Sequence, residues 1–456
     1  MDKNTLSLGN DRILPLLIRL SIPSTFAMFV NALYNLVDAI FVGRGVSTEA
    51  IGGLAVAFPV QMIIMAVGFL IGIGSSSIIS RALGAKDHER SKYALGNAIV
   101  SGAVIAVVIV TVFFLNLRSI IRIFGATKEL EQYAYDYLSI ILISGVFFIL
   151  AIISNNIIRA QGNAKMAMIS MVSGAVLNMI LDPLFIFVFK MGIRGAALAT
   201  AISQLVTLIV GITYIFGKRS SIHIGLKHLK LKLDIMKEVT AIGFSGFVRQ
   251  VAGSIVVAIL NNVIKLNTGD MATLYISVFG IINRVLMFML MPMFGVVQAF
   301  QPVAGFNFGA KSFDRVKEAI RITLGILVVI GTVATFVVLL FTKQIIGIFT
   351  DDATVIETGY TVLRTVVYVT PLVGFQIISA VLYQALGKAG PALFLALLRQ
   401  LIVLVPLLLI LPEIYGTTGI WISFPLADGI SVIISYFMLR REVGIINRFA
   451  LDYVKV

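Results

Sequence analysis

Cysteine is absent from all 456 residues, which excludes disulfides, thiol catalysis and thiolate metal sites. Histidine is nearly absent: His88, His223 and His228 are the only three, each in a polar stretch. Charged residues make up only 13% of the chain, against 59% hydrophobic. An intramembrane enzyme would need His, Cys or several acids clustered near one interface, and none is present, so the chain reads as a non-enzyme with no cofactor. GIGSSSIIS (72–80) lacks the Gly-Lys-Ser/Thr of a phosphate loop, and its small residues suit close helix packing instead. The polar start, MDKNTLSLGNDRILPLLIRL, is not a signal peptide.

What remains is apolar. A mean hydropathy of +1.02 is too high for a soluble domain of this size and implies a polytopic membrane protein. Hydrophobic runs near 13–43, 50–80, 93–117, 133–158, 166–189 and 195–217 predict six spans. Six more are predicted near 239–264, 272–300, 319–342, 360–386, 391–411 and 418–439. The net charge of +14 follows topology rather than nucleic acid: 24 of the 36 Lys and Arg fall on the side of the N-terminus, eight opposite and four within spans. The positive-inside rule then places both termini in the cytoplasm.

The run Met166–Phe189 is long enough to cross a bilayer and carries a single charge, Asp182. A carboxylate at that depth costs roughly 2.5–3.5 kcal/mol on insertion scales, so it is expected to face protein or water and to have a task. Asn178 lies one turn earlier on the same face. Pro183 removes a backbone donor and frees the carbonyl of Met179, so the helix beside the acid is expected to be loosened.

The sequence repeats itself. RALGAKDHER (81–90) returns as FNFGAKSFDR (306–315), and AQGNA (160–164) meets ALGKA (385–389), both at an offset of 225; GIRG (192–195) meets GTTG (416–419) at 224. Two halves of six spans enter the membrane in the same orientation, so the symmetry axis should run along the membrane normal. The expected architecture is all-α: twelve transmembrane helices in two six-helix lobes related by that pseudo-two-fold axis. The first lobe would cover 1–217 and the second 239–456. The basic segment 218–238 would link them, lying on anionic headgroups.

The first span has its own lone acid. Asp38 is the only charge in SIPSTFAMFVNALYNLVDAIFV (21–42), with Asn31, Tyr34 and Asn35 seven, four and three residues before it on one polar stripe. Asp38, Asn178, Asp182 and Thr200 all fall at similar depth in the outer half of the membrane. Two carboxylates in one low-dielectric pocket cannot both stay charged unless a cation joins them. Protonation is one solution, and Na⁺ held by Asp38, Asn178, Asp182 and Thr200 is the other. The second half does not repeat these acids. Its span charges are Arg249, Arg284, Arg364 and Arg399, with Asp428 as the expected partner of one of them. Unpaired, Arg249 and Arg284 would line a cleft together with Asn31, Asn35 and Asn283.

With Asp38 in NLVDAIFVG, Asp182 in LNMILDPLFIF, the RALGAKDHER loop and the repeat in place, the chain resembles the multidrug and toxic compound extrusion (MATE) family, in its DinF-like, MepA-like branch. The resemblance implies a cation or proton site at Asp38, Asp182, Asn178, Thr200 and Tyr34. It implies antiport of amphipathic, often cationic compounds through a V-shaped cleft, in exchange for H⁺ or, second, Na⁺. A flippase for lipid-linked saccharides is the alternative within the same superfamily. Further expectations are a bacterial cytoplasmic membrane, small-molecule substrates, no nucleic acid and a monomer. The acids that the NorM-like branch places in helices seven and ten are missing from FSGFVRQVAG and GFQIISAVLYQ.

Overall fold

The computed structural model describes residues 2–454, so the expected outer limits of the two lobes, 1 and 456, lie outside it. Twelve long helices cross: α1 Ile13–Gly45, α2 Thr48–Gly84, α3 His88–Leu115, α4 Lys128–Ala160, α5 Ala164–Val188, α6 Gly192–Phe216, α7 Leu233–Thr268, α8 Ala272–Gly309, α9 Phe313–Leu340, α10 Ala353–Ala385, α11 Ala389–Tyr415 and α12 Thr417–Val454. Among the described residues eleven stretches are long and apolar enough to span; one of them, Leu233–Gly309, holds both α7 and α8. Every expected span is found. Among the described residues there is no strand.

Local chemistry sets the boundaries. Ser47, Asp87 and Asn163 cap α2, α3 and α5 by accepting from the backbone N–H three residues on. The loops after α2 and α8 turn through Lys86 and Lys311, both at φ 58°, which are equivalent positions in the repeat. Gly162 and Gly387 are a second such pair, at φ 81° and 78°. Behind Pro183, α5 ends in a π-helical turn, Leu184–Val188, so the loosening expected beside Asp182 takes that form.

The two lobes meet through a reciprocal contact. A Cβ on Gly84 would lie 1.9 Å from the Phe306 carbonyl oxygen, and one on Gly309 would lie 2.0 Å from that of Arg81. Arg81 and Phe306 stand at the same offset as the two glycines, so exchanging the lobes maps the contact onto itself, as a two-fold axis requires. GIGSSSIIS packs closely here too: Gly74 leaves room only for the Val239 carbonyl of α7, 2.0 Å from where its Cβ would be.

Cross-lobe contacts continue at the end that carries the termini. Ser77 Oγ donates to the Gln384 carbonyl, Asn307 Nδ2 to that of Leu8 at 2.9 Å, and Arg81 pairs with Glu238 at 2.7 Å. At mid-height Gln298 Nε2 reaches Met28 Sδ at 3.7 Å and Gln250 Nε2 reaches Met62 Sδ at 2.9 Å. Beyond that level no hydrogen bond or ion pair among the described residues joins the lobes. The connector also differs from a ribbon lying on headgroups. α7 already begins at Leu233, and His228 is buried against α3, its ring 5.1 Å from Tyr93.

Candidate functional site

α1, α5 and α6 pack side by side, and this packing brings together the two buried acids of the first lobe. Asp182 is fully buried and Asp38 is 8% exposed. Their carboxyl groups face each other within hydrogen-bonding reach. Asn178 sits beside them. With its amide nitrogen turned to the acid it donates to Asp182 Oδ2 at 2.8 Å, while its oxygen accepts from the Thr200 backbone N–H at 3.2 Å and from Thr200 Oγ1 at 3.3 Å. The Tyr34 hydroxyl lies close to Thr200 and in the field of both carboxyls. Asp38, Asp182, Asn178, Thr200 and Tyr34 thus form one pocket.

Two residues that the sequence reading did not single out complete it. Tyr137 of α4 is buried close to Asp38, Tyr34 and Asp182. Gln61 of α2 donates to the Tyr137 hydroxyl at 3.1 Å. A signal for Gln61 was present, since it is the only amide in the apolar run VAFPVQMIIMAV (56–67). Tyr137 gave none, because a tyrosine near a span end is ordinary.

The pocket's electrostatics follow from its contents. Two facing carboxyls in a dry site repel unless a proton or a cation lies between them. Asp38 Oδ1 is buried without a hydrogen-bond partner, which leaves one oxygen free to hold either. Among the described residues no His, Lys or Arg hydrogen-bonds to the pair. Among the described residues no three His, Cys, Asp or Glu side chains cluster as a transition-metal site would.

The expected polar stripe on α1 divides. Asn31 and Asn35 are exposed outside the pocket, and Asn35 Nδ2 is engaged by the Asn31 carbonyl at 2.7 Å. A helical spacing of three and four from the acid still spreads side chains over a wide arc, and only Tyr34 turns inward with Asp38. In the second lobe Arg399 pairs with Asp428 through Nε and, at 3.3 Å, through Nη2. Arg399 lies on a π-helical stretch of α11, Leu398–Leu404, which re-aims it toward α12. Arg364 caps the Leu339 carbonyl at 2.9 Å. Asn283 and Arg284 are exposed, and Arg249 is half-buried.

The MatE family model matches residues 23–184 and 251–410, one stretch in each lobe. The chain belongs to the MatE family. It is 28% identical over 432 residues to the multidrug export protein MepA of Staphylococcus saprophyticus, covering 94% of both chains. To MepA of Staphylococcus aureus it is 27% identical over 435 residues, again with 94% of each covered. Among solved structures, a MOP superfamily transporter from Pyrococcus furiosus superposes with a TM-score of 0.92 at 27% identity, covering 98% of this chain and 99% of that one. A multidrug resistance MATE family transporter in an outward-facing conformation gives 0.91 at the same identity and coverage.

Proposed function

We propose that this MatE protein is a secondary multidrug antiporter of a bacterial cytoplasmic membrane, exporting amphipathic, often cationic compounds in exchange for inward H⁺. The carrying observation is the pair Asp38–Asp182, two carboxyls facing each other in a buried pocket with one oxygen unpartnered. A proton between them relieves the repulsion without any further ligand. Sodium would draw on the Asn178 oxygen, which already accepts from Thr200. The similarity to proteins named for multidrug export supports the substrate class. The excess of Lys and Arg beside the termini supports a cytoplasmic position for that end. Since the lobes are joined there and bonded no further than mid-height, this arrangement is the outward-open one.

Energetically one charge entering down 100 mV supplies about 2.3 kcal/mol, enough for a roughly 40-fold gradient of a neutral substrate. The test is dye efflux from proteoliposomes by Asp38→Asn and Asp182→Asn. Both amides keep the side-chain shape, so the proteins should fold and insert while losing pH-driven uphill transport. Full activity in both variants would remove the acids from the coupling step.

A further inference from the structure

The polar face of α5 does not end at Asp182 and Asn178. Toward the termini-bearing end it continues through Gly174 and Ser170, each four residues apart and so on one face. The facing side of α6 carries Thr200, Ser203, Thr207 and Gly211, at spacings of three and four. These stripes touch. A Cβ on Gly174 would lie 2.0 Å from Thr207 Oγ1 and 2.8 Å from the Ser203 carbonyl, and Ser170 Oγ donates to the Thr207 carbonyl at 2.8 Å. From α4, Asn155 Nδ2 reaches Ser170 Oγ at 3.5 Å. One turn further on, Arg159 rests its Nη2 on Met171 Sδ at 3.1 Å.

Hydrogen bonding along this column is incomplete. Ser203, 6% exposed, and Asn155, 4% exposed, each have a buried oxygen with no partner, as does Gln204; Arg159 Nε is likewise buried and unpaired. Buried polar atoms are nearly always satisfied, by water where protein does not reach them. The atoms on Ser203, Asn155 and Arg159 lie between the acid pair and the termini-bearing face, where water would satisfy them. Arg159 has no carboxylate partner among the described residues, and its fixed charge disfavours a resident metal cation at that end.

We propose that this column carries the coupling proton from the Asp38–Asp182 pair to the termini-bearing face, inside the first lobe rather than through the cleft between lobes. The inference rests on the proton-antiport reading above. The acid gives its proton to a water; each water or hydroxyl accepts one proton and releases another; the acid is left as carboxylate and one proton emerges. Asn178, bonded to both Asp182 and Thr200, stands between the acids and the column, and an amide does not relay protons by hopping. Its rotation away from Thr200 opens the first step.

The absence of cysteine makes the test direct. Ser203→Cys is placed in proteoliposomes selected for an outward termini-bearing face, and silver ion, a small thiol reagent, is added outside. Ser203→Cys should lose its thiol at least 100-fold faster than Ile153→Cys, whose position is fully buried against Gly102 of α3. Equal rates would overturn the water column. A second arm measures tetraphenylphosphonium accumulation driven by a pH gradient. Ser203→Val, with unchanged melting, should accumulate at least tenfold less, and Ser203→Thr, which keeps the hydroxyl, should restore it. Wild-type accumulation by Ser203→Val would overturn the proton route. If the unaltered protein shows no pH-driven accumulation while Ser203→Cys still reacts, the antiport reading falls, and the proton role of the column with it.

Discussion

A buried charge in this protein is either neutralised by a neighbour or left free to change state. Asp428 is the first kind: Arg399 grips it through two nitrogens and the pair is closed to exchange. Asp38 and Asp182 are the second kind, since their nearest ionisable neighbours are each other. Arg399→Gln should therefore cost about 3–5 kcal/mol, the usual penalty for leaving one buried charge unpaired, with substrate preference unchanged. A wild-type melting temperature for that variant would show the pair to be dispensable. Arg284 differs, being exposed and unpaired among the described residues. Arg284→Gln should leave melting unchanged and reduce transport of a carboxylate-bearing compound more than of a cation, because the guanidinium fork binds carboxylates in a bidentate way. Equal effects on both compounds would place Arg284 outside the substrate path. At this scale the acids, Asn178 and Thr200 were legible because polar groups deep in apolar runs are expensive and stand out. Tyr137 was not legible: its membership depends on the rotation of α4, and no spacing rule supplies that.

At the scale of helices, the sequence carried the spans and the repeat, because hydrophobic length and internal offset are one-dimensional properties. It carried helix irregularity only in part: Pro183 signalled the loosened end of α5. The π-helical stretch under Arg399 has no proline inside it; Pro406, two residues beyond its end, is the trace that the sequence reading passed over. Nor was the division of the α1 stripe legible, since Asn31 and Asn35 lie at helical spacing from Asp38 yet point elsewhere. Close approach of α2 and α8 can be tested with a pair of glycines. Gly84→Ala places a methyl 1.9 Å from a carbonyl oxygen, whereas a Cβ on Gly280 meets nothing within 4 Å. The first should destabilise by about 1–3 kcal/mol, the usual cost of overpacking, and the second should leave melting nearly unchanged. Similar melting of both variants would contradict the reciprocal lobe contact.

For the whole molecule, the termini-bearing end is the closed end, and Glu238 of the second lobe fastens it by pairing with both Arg81 and Arg90 of the first. Alternating access requires that network to part. Glu238→Gln should shift the population toward the form open at that end, read as longer distances between spin labels on the α2–α3 and α8–α9 loops. Unchanged distances would show that helix packing alone holds the end shut. Coupling is the step on which transport depends. The most direct test is accumulation of an organic cation in sodium-free proteoliposomes under a pH gradient, comparing the unaltered protein with Asp182→Asn. Accumulation by the first and none by the second is the expected result. Strict dependence on sodium at fixed pH would contradict proton coupling and assign the pocket of Asp38, Asn178, Asp182 and Thr200 to that ion instead.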